Sequence, residues 1–262
     1  KMPENKISFF NIVIDNLSMS ETLATIDEFV ASDKHKIVVT PNVDHLVKLQ
    51  TDKVFLSAYQ SANLVLTDGV PLLWAAKIMG TPIKEKVSGS DLFPKLCERA
   101  ALKKHSLFFL GGLEGVAEKA SQKLTEDYPG LNVTGVYSPP FGFENEALEN
   151  EKILKLINMH KPDILCVGLG APKQEKWLYK HRDQLKVKVS LGIGASFDFV
   201  AGNVQRAPIW MQNNGLEWFY RTMQEPKRML KRYFIDAVLF IPLIVKYWFK
   251  NKRAGNALSS HY

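Results

Sequence analysis

A carboxylate on a tight turn is the strongest chemical feature of this sequence. Asp68 stands between Thr67 and Gly69, after the apolar run 63–67 and before Pro71 and the apolar Leu72-Leu73-Trp74. A carboxyl group held beside apolar surface keeps its proton to higher pH, which suits a general base acting on a hydroxyl. The competing expectation is an N-cap for the helix that follows, because Asp ahead of Gly and Pro caps well. Asp44, Asp91 and Asp198 are rivals for the catalytic role, and Asp91, in Ser88-Gly89-Ser90-Asp91-Leu92, reads as a plain cap.

Other chemistries fit less well. The six histidines have no metal-ligand spacing, and neither Cys-x-x-Cys nor His-Glu-x-x-His occurs. Asp-x-Asp, the usual grip of sugar-nucleotide enzymes on a divalent cation, is also missing. No metal or other cofactor is therefore expected, and any departing diphosphate must be neutralised by amides and protein cations. The glycine loops Gly168-Leu169-Gly170-Ala171-Pro172-Lys173 and Gly192-Ile193-Gly194-Ala195-Ser196-Phe197 match neither a Walker loop nor the dinucleotide fingerprint, which weakens a nicotinamide oxidoreductase reading. A nucleotide diphosphate remains compatible, because it needs only amides, a helix N-terminus and a few polar side chains.

These residues need a scaffold that brings them together. Apolar runs at 36–40, 63–67, 106–110, 132–136, 164–168 and 187–192 are strand-like, and helical patterns at 21–30, 113–128 and 145–160 lie between them. Ser18 with Glu21 has the capping-box spacing that opens the first of these helices. The alternation predicts an α/β fold, a Rossmann-like, mostly parallel sheet flanked by helices. Small residues follow the strands at Thr40-Pro41-Asn42, Thr67-Asp68-Gly69, Gly111-Gly112, Gly168–Pro172 and Gly192–Ala195, so one cleft at the carboxyl edge of the sheet is expected. We assign residues 1–205 to this body, with a candidate seam near 100–106, and 206–262 to a C-terminal helical appendage.

Charge is distributed unevenly. The chain of 262 residues carries a net +7, and residues 227–253 hold eight basic residues against Asp236 alone, leaving the rest balanced. Basic residues are not spread over the body, so nucleic acid is not an expected partner. Residues 233–249 between the two basic clusters are largely apolar. Seventeen helical residues span roughly 25 Å, short of a ~30 Å hydrocarbon core, and Asp236, Pro242 and Lys246 interrupt them. An interfacial helix on an anionic membrane surface is the expectation, with packing on the body or in a homo-oligomer as the alternative. Cys97 and Cys166 read as free thiols in a helix and a buried strand. With no signal-peptide pattern at the start, a cytoplasmic protein is expected.

An ordered series of motifs carries a family resemblance. It runs through Thr40-Pro41-Asn42, Thr67-Asp68-Gly69-x-Pro71, Gly89-Ser90-Asp91-Leu92-Phe93, Phe109-Leu110-Gly111-Gly112, Gly168-x-Gly170-x-Pro172-Lys173-Gln174-Glu175 and Gly192-x-Gly194-x-x-Phe197-Asp198. Gly202, Arg206-Ala207-Pro208 and Gly215-Leu216-Glu217-Trp218-x-x-Arg221 complete it. The series resembles the WecG/TagA/CpsF glycosyltransferases over nearly the whole chain.

The resemblance implies an inverting, metal-independent transfer of N-acetylmannosamine or a related sugar. The donor would be a UDP-sugar and the acceptor polyprenyl-diphosphate-linked N-acetylglucosamine, for a wall-teichoic-acid-type glycan, at the inner face of the cell membrane. It makes Asp68 the base, with Thr40 and Asn42 lining the same pocket. Gly111, Gly112, Gly170, Gln174 and Asp198 would hold UDP, while Arg206, Arg221 and Arg228 would bind substrate, the last two at the diphosphates. Lys86 stands where the family usually has Arg, which keeps the charge and loses the bidentate fork. A non-catalytic nucleotide- or lipid-binding scaffold of a glycan assembly complex is the alternative.

Overall fold

The computed structural model describes residues 5–259; the side chains of Arg228 and of residues 251–259 lie outside the described set. Strands β1 (Lys6–Phe9) and β2 (Ile12–Asp15) form an antiparallel hairpin. The main sheet joins β3 (Lys36–Val39), β4 (Leu64–Val65), β5 (Ser106–Gly111), β6 (Asn132–Tyr137), β7 (Ile164–Gly168) and β8 (Val189–Gly192). Its order is β4-β3-β8-β7-β5-β6, with every pairing parallel. The expected parallel α/β architecture is therefore present, and strands from both sides of the 100–106 stretch share one sheet.

Helices cover both faces, which is why the central strands are apolar throughout instead of alternating. On one face Phe108, Leu110, Leu165 and Val167 pack with the hairpin, α2 (Val43–Lys48), α3 (Lys53–Ser61), α4 (Val70–Ile78), α7 (Ala147–His160) and α8 (Lys173–His181). On the other, Leu107, Phe109, Ile164 and Cys166 pack with α1 (Met19–Ala31), α5 (Gly89–Lys103), α6 (Val116–Asp127) and α9 (Ser196–Ala201). Cys97 in α5 and Cys166 in β7 are free and buried, as expected from their settings. The Ser18–Glu21 capping box also forms as its spacing predicts.

Three helices follow the sheet: α10 (Ile209–Asn213), α11 (Glu217–Gln224) and α12 (Pro226–Ser259). The last is longer than the sequence pattern suggests, because Pro242 does not end it. Pro242 and Val238, whose carbonyl loses its amide partner, are both exposed, so the defect lies on the solvent side. Met229, Asp236, Phe240, Leu243, Ile244 and Tyr247 form a stripe at helical spacing that meets the body. Phe10 in the hairpin turn packs against Phe240 and Tyr247, with centroids at 5.7 and 4.8 Å, and Tyr247 donates a hydrogen bond to Asn11. Arg232 lies 3.4 Å from Asp44 on α2 and 3.8 Å from Asp236. The helix thus packs on its own body along one side. Leu230, Phe234, Val238, Ile241, Val245 and Phe249 face outward and are exposed. No helix among the described residues is long and apolar enough to cross a membrane.

Candidate active site

The connections reverse direction between β5 and β7. From β5 the chain moves outward through α6 to β6, and from β7 it moves the other way through α8 to β8, on the opposite face. A crevice opens at such a switch point, beyond the carboxyl ends of the strands. Here the two strands end on Gly111 and Gly168, and the Gly112 amide donates to the Gly168 carbonyl at 2.9 Å. A Cβ on Gly111 would lie 2.3 Å from the Gly168 oxygen, and its φ is +117°, so only glycine fits. Gly111→Ala is expected to cost about 3 kcal/mol of stability, read as a fall in Tm, by displacing both loops.

Gln174 fastens the next loop. It is buried at the start of α8, where its Oε1 accepts from the Gly194 amide at 3.1 Å and its Nε2 donates to Glu175 at 2.8 Å. Its observed role is to tie the Gly170 and Gly194 loops together. Burial pushes the Glu175 carboxyl up to about 7. Gly170 is exposed at the rim, and Asp198 is half-buried in α9, its carbonyl accepting from the Asn203 and Val204 amides.

Asp68 lies at the other end of this carboxyl edge. Its amide donates to Pro41 at 2.9 Å, and the Thr67 carbonyl accepts from Val87 at 2.9 Å, which locks the β4 turn between two neighbouring loops. The capping alternative fails. Gly69, at φ 103°, is the N-cap of α4, and no side chain caps that helix. The Asp68 carboxyl sits in a recess where burial, and then the facing Glu217 carboxylate, push its pKa up to about 7 against the pull of Lys86 and Arg206. Thr40 is buried one strand away at the end of β3. Asn42 caps α2, its Oδ1 accepting from His45 N at 3.1 Å. Tyr59 from α3, bonded to His45 Nδ1 at 2.6 Å, is buried and faces Asp68 and Glu175 electrostatically.

Asp91 is no mere cap, contrary to the sequence expectation. Ser88 caps α5, while the Asp91 carboxylate accepts from Ser88 Oγ at 2.6 Å, from Lys86 Nζ at 2.9 Å and from Arg206 at 2.8 Å. Burial opposes its ionisation, yet the Ser88 hydrogen bond and the two cations hold it below its usual range. Arg206 also meets Gln212 at 2.9 Å and Glu217 at 3.5 Å. Arg221 from α11 and Arg206 both lie over the Phe199 ring, at 5.4 and 5.7 Å. Lys86 and Arg206 therefore act on Asp68, and Arg221 shares the Phe199 ring with Arg206, while the Arg228 side chain lies outside the described residues.

Glu217 is a group that sequence reasoning missed, and Asp91, a rival carboxylate there, was read as a plain cap. Glu217 stood inside a quoted motif, but nothing local told that it would face Asp68. Among the described residues no three His, Cys, Asp or Glu side chains converge as metal ligands.

The family model described as Glycosyl transferase WecG/TagA/CpsF family matches residues 7–254. The chain belongs to that glycosyltransferase family. A WecG/TagA/CpsF member of this kind has curated relatives of similar length. One, from Bacillus spizizenii, is 30% identical over 227 residues, covering 87% of this chain and 84% of its own. A second, from Staphylococcus aureus, is 29% identical over 226 residues, covering 86% and 87%. Both are named N-acetylglucosaminyldiphosphoundecaprenol N-acetyl-beta-D-mannosaminyltransferase. The motif series that carried the family resemblance, from Thr40 to Arg221, lies within the region matched by the family model.

Proposed function

We propose that this glycosyltransferase moves N-acetylmannosamine from UDP to a polyprenyl-diphosphate-linked N-acetylglucosamine, with inversion and without a metal. The observation that carries the reading is Asp68, a recessed carboxyl poised near neutral pH with the charges of Lys86 and Arg206 acting on it. The names of the relatives support the sugar and the acceptor, and the beta product they specify is inversion if the donor is alpha-linked.

In the proposed reaction the acceptor hydroxyl attacks the anomeric carbon while Asp68 takes its proton. The bond from that carbon to the diphosphate oxygen breaks, and UDP leaves with the electron pair. No covalent enzyme intermediate is required. The glycine loops at Gly111, Gly112 and Gly170, with Gln174 and Asp198 beside them, would receive UDP through backbone amides. The cations would offset the charge that develops on the leaving oxygen.

The outward stripe of α12 suits the headgroup region of an anionic membrane, which would hold the enzyme beside its lipid-linked acceptor. A donor panel offered with a synthetic lipid-diphosphate acceptor tests the reading. The expected result is transfer from UDP-N-acetylmannosamine to give a beta-linked disaccharide. Preference for another sugar nucleotide, or an alpha product, would overturn it.

A further inference from the structure

We propose that Glu217 is a positioning residue, by which the C-terminal appendage holds Arg206, Asp91 and Lys86 in place around Asp68. The inference rests on Asp68 being the base of the proposed transfer. Four charged side chains from four places in the chain form one continuous series. Lys86 lies ahead of α5, Asp91 in its first turn, Arg206 between α9 and α10, and Glu217 in the first turn of α11. The links are 2.9 Å from Lys86 to Asp91, 2.8 Å from Asp91 to Arg206 and 3.5 Å from Arg206 to Glu217. Each of these side chains is between 18% and 27% exposed, so the series is shielded from bulk water and less screened than a surface pair.

The remaining bonds fix it further. Gln212 in α10 accepts from Arg206 and donates to the Ala207 carbonyl at 2.6 Å, so the α10 segment grips the guanidinium from a second side. The α10–α11 turn itself is seated on the helix after Asp68. A Cβ on Gly215 would come within 3.1 Å of Val70 and 3.3 Å of Trp74. Glu217 follows that turn directly, so the close approach of Gly215 to α4 helps to place α11 and its carboxylate near the Asp68 turn.

The charges around Asp68 explain what Glu217 does there. Glu217 and Asp91 disfavour the Asp68 anion, while Lys86 and Arg206 favour it. Neutralising Glu217 removes a carboxylate and frees Arg206 to act on Asp68, and both changes lower the proton affinity of the base. Glu217→Gln is expected to move the acid limb of kcat/KM down by about one pH unit. Arg206→Gln should move it up, and Glu217→Asp should leave it near its wild-type position.

The measurement is kcat and KM against pH for the full chain and these three variants, with Tm recorded for each. Carbon-13 titration of the aspartate carboxyls supplies a second readout that needs no turnover. Opposite shifts for Glu217→Gln and Arg206→Gln at similar Tm support the proposal. An acid limb and an Asp68 titration unmoved in Glu217→Gln would overturn it, whether or not kcat falls. Failure of the base reading is distinguishable, since Asp68→Asn would then keep its turnover whatever Glu217 does.

Discussion

Replacing Asp68 with Asn is expected to lower kcat by about 10²–10⁴-fold, the usual contribution of a positioned general base, while UDP affinity stays close to wild type. The amide fills the same recess but cannot accept the proton. Two further results separate this account from simple damage to the fold. In the wild type, kcat/KM should rise with pH through about 7, because only the ionised carboxylate is a base. The variant should also be more stable than wild type at pH 8. The folded-state pKa of Asp68 is raised above the ordinary aspartate value of 3.8, so ionisation is easier in the unfolded chain. The stability that Asp68 contributes is thus fully present below that unfolded value and is lost as pH rises through about 7. Asn never ionises and escapes this loss. Thermal melts at pH 5 and pH 8 check the sign, and a variant less stable than wild type at pH 8 would contradict it.

Placing charge on the outer face of α12 should abolish membrane association without unfolding the protein. Phe234 and Ile241 are 72% and 61% exposed, on the side turned away from the body. A fully buried side chain of this size contributes about 1.5–3 kcal/mol. Even partial insertion of two such side chains makes a combined Phe234→Asp, Ile241→Asp variant at least about 100-fold weaker on anionic vesicles. Flotation with vesicles of mixed anionic and neutral lipid checks this, with Tm as the control for folding. Activity on a lipid-linked acceptor should fall in parallel, while activity on a short, water-soluble acceptor should persist. The inward Phe240 behaves differently, because it is buried against Phe10, so Phe240→Asp should lower Tm. Flotation of the outer-face variant equal to wild type would leave the stripe without its proposed role.

The parallel sheet was legible because its strands are covered on both faces and therefore read as unbroken apolar runs, and because small residues mark their carboxyl ends. The hairpin β1–β2 was not, since four-residue strands around Phe10 and Asn11 carry little periodic signal. Helices α2 and α3 were missed for a similar reason; they run six and nine residues, too short for a 3.6 period to stand out. In α12, Asp236 looked like an interruption of an apolar helix, whereas it faces Arg232 on the side that meets the body.

Within the site, Asp68 could be singled out from its turn. Its raised proton affinity was expected there too, since burial is the largest cause; the added push from Glu217 was not legible, because that residue lies far along the chain and comes near only through tertiary packing. Asp91 illustrates the same limit. Its local pattern is a helix start, and its ion pair with Arg206 joins residues 115 positions apart.

The most direct test of the account is UDP release from UDP-N-acetylmannosamine by the full chain in excess EDTA, with and without a polyprenyl-diphosphate-linked N-acetylglucosamine acceptor. Release is expected to depend on the acceptor, to match disaccharide formation mole for mole, to be indifferent to EDTA and to be nearly absent in Asp68→Asn. Release at the same rate without acceptor, or full turnover by Asp68→Asn, would contradict it.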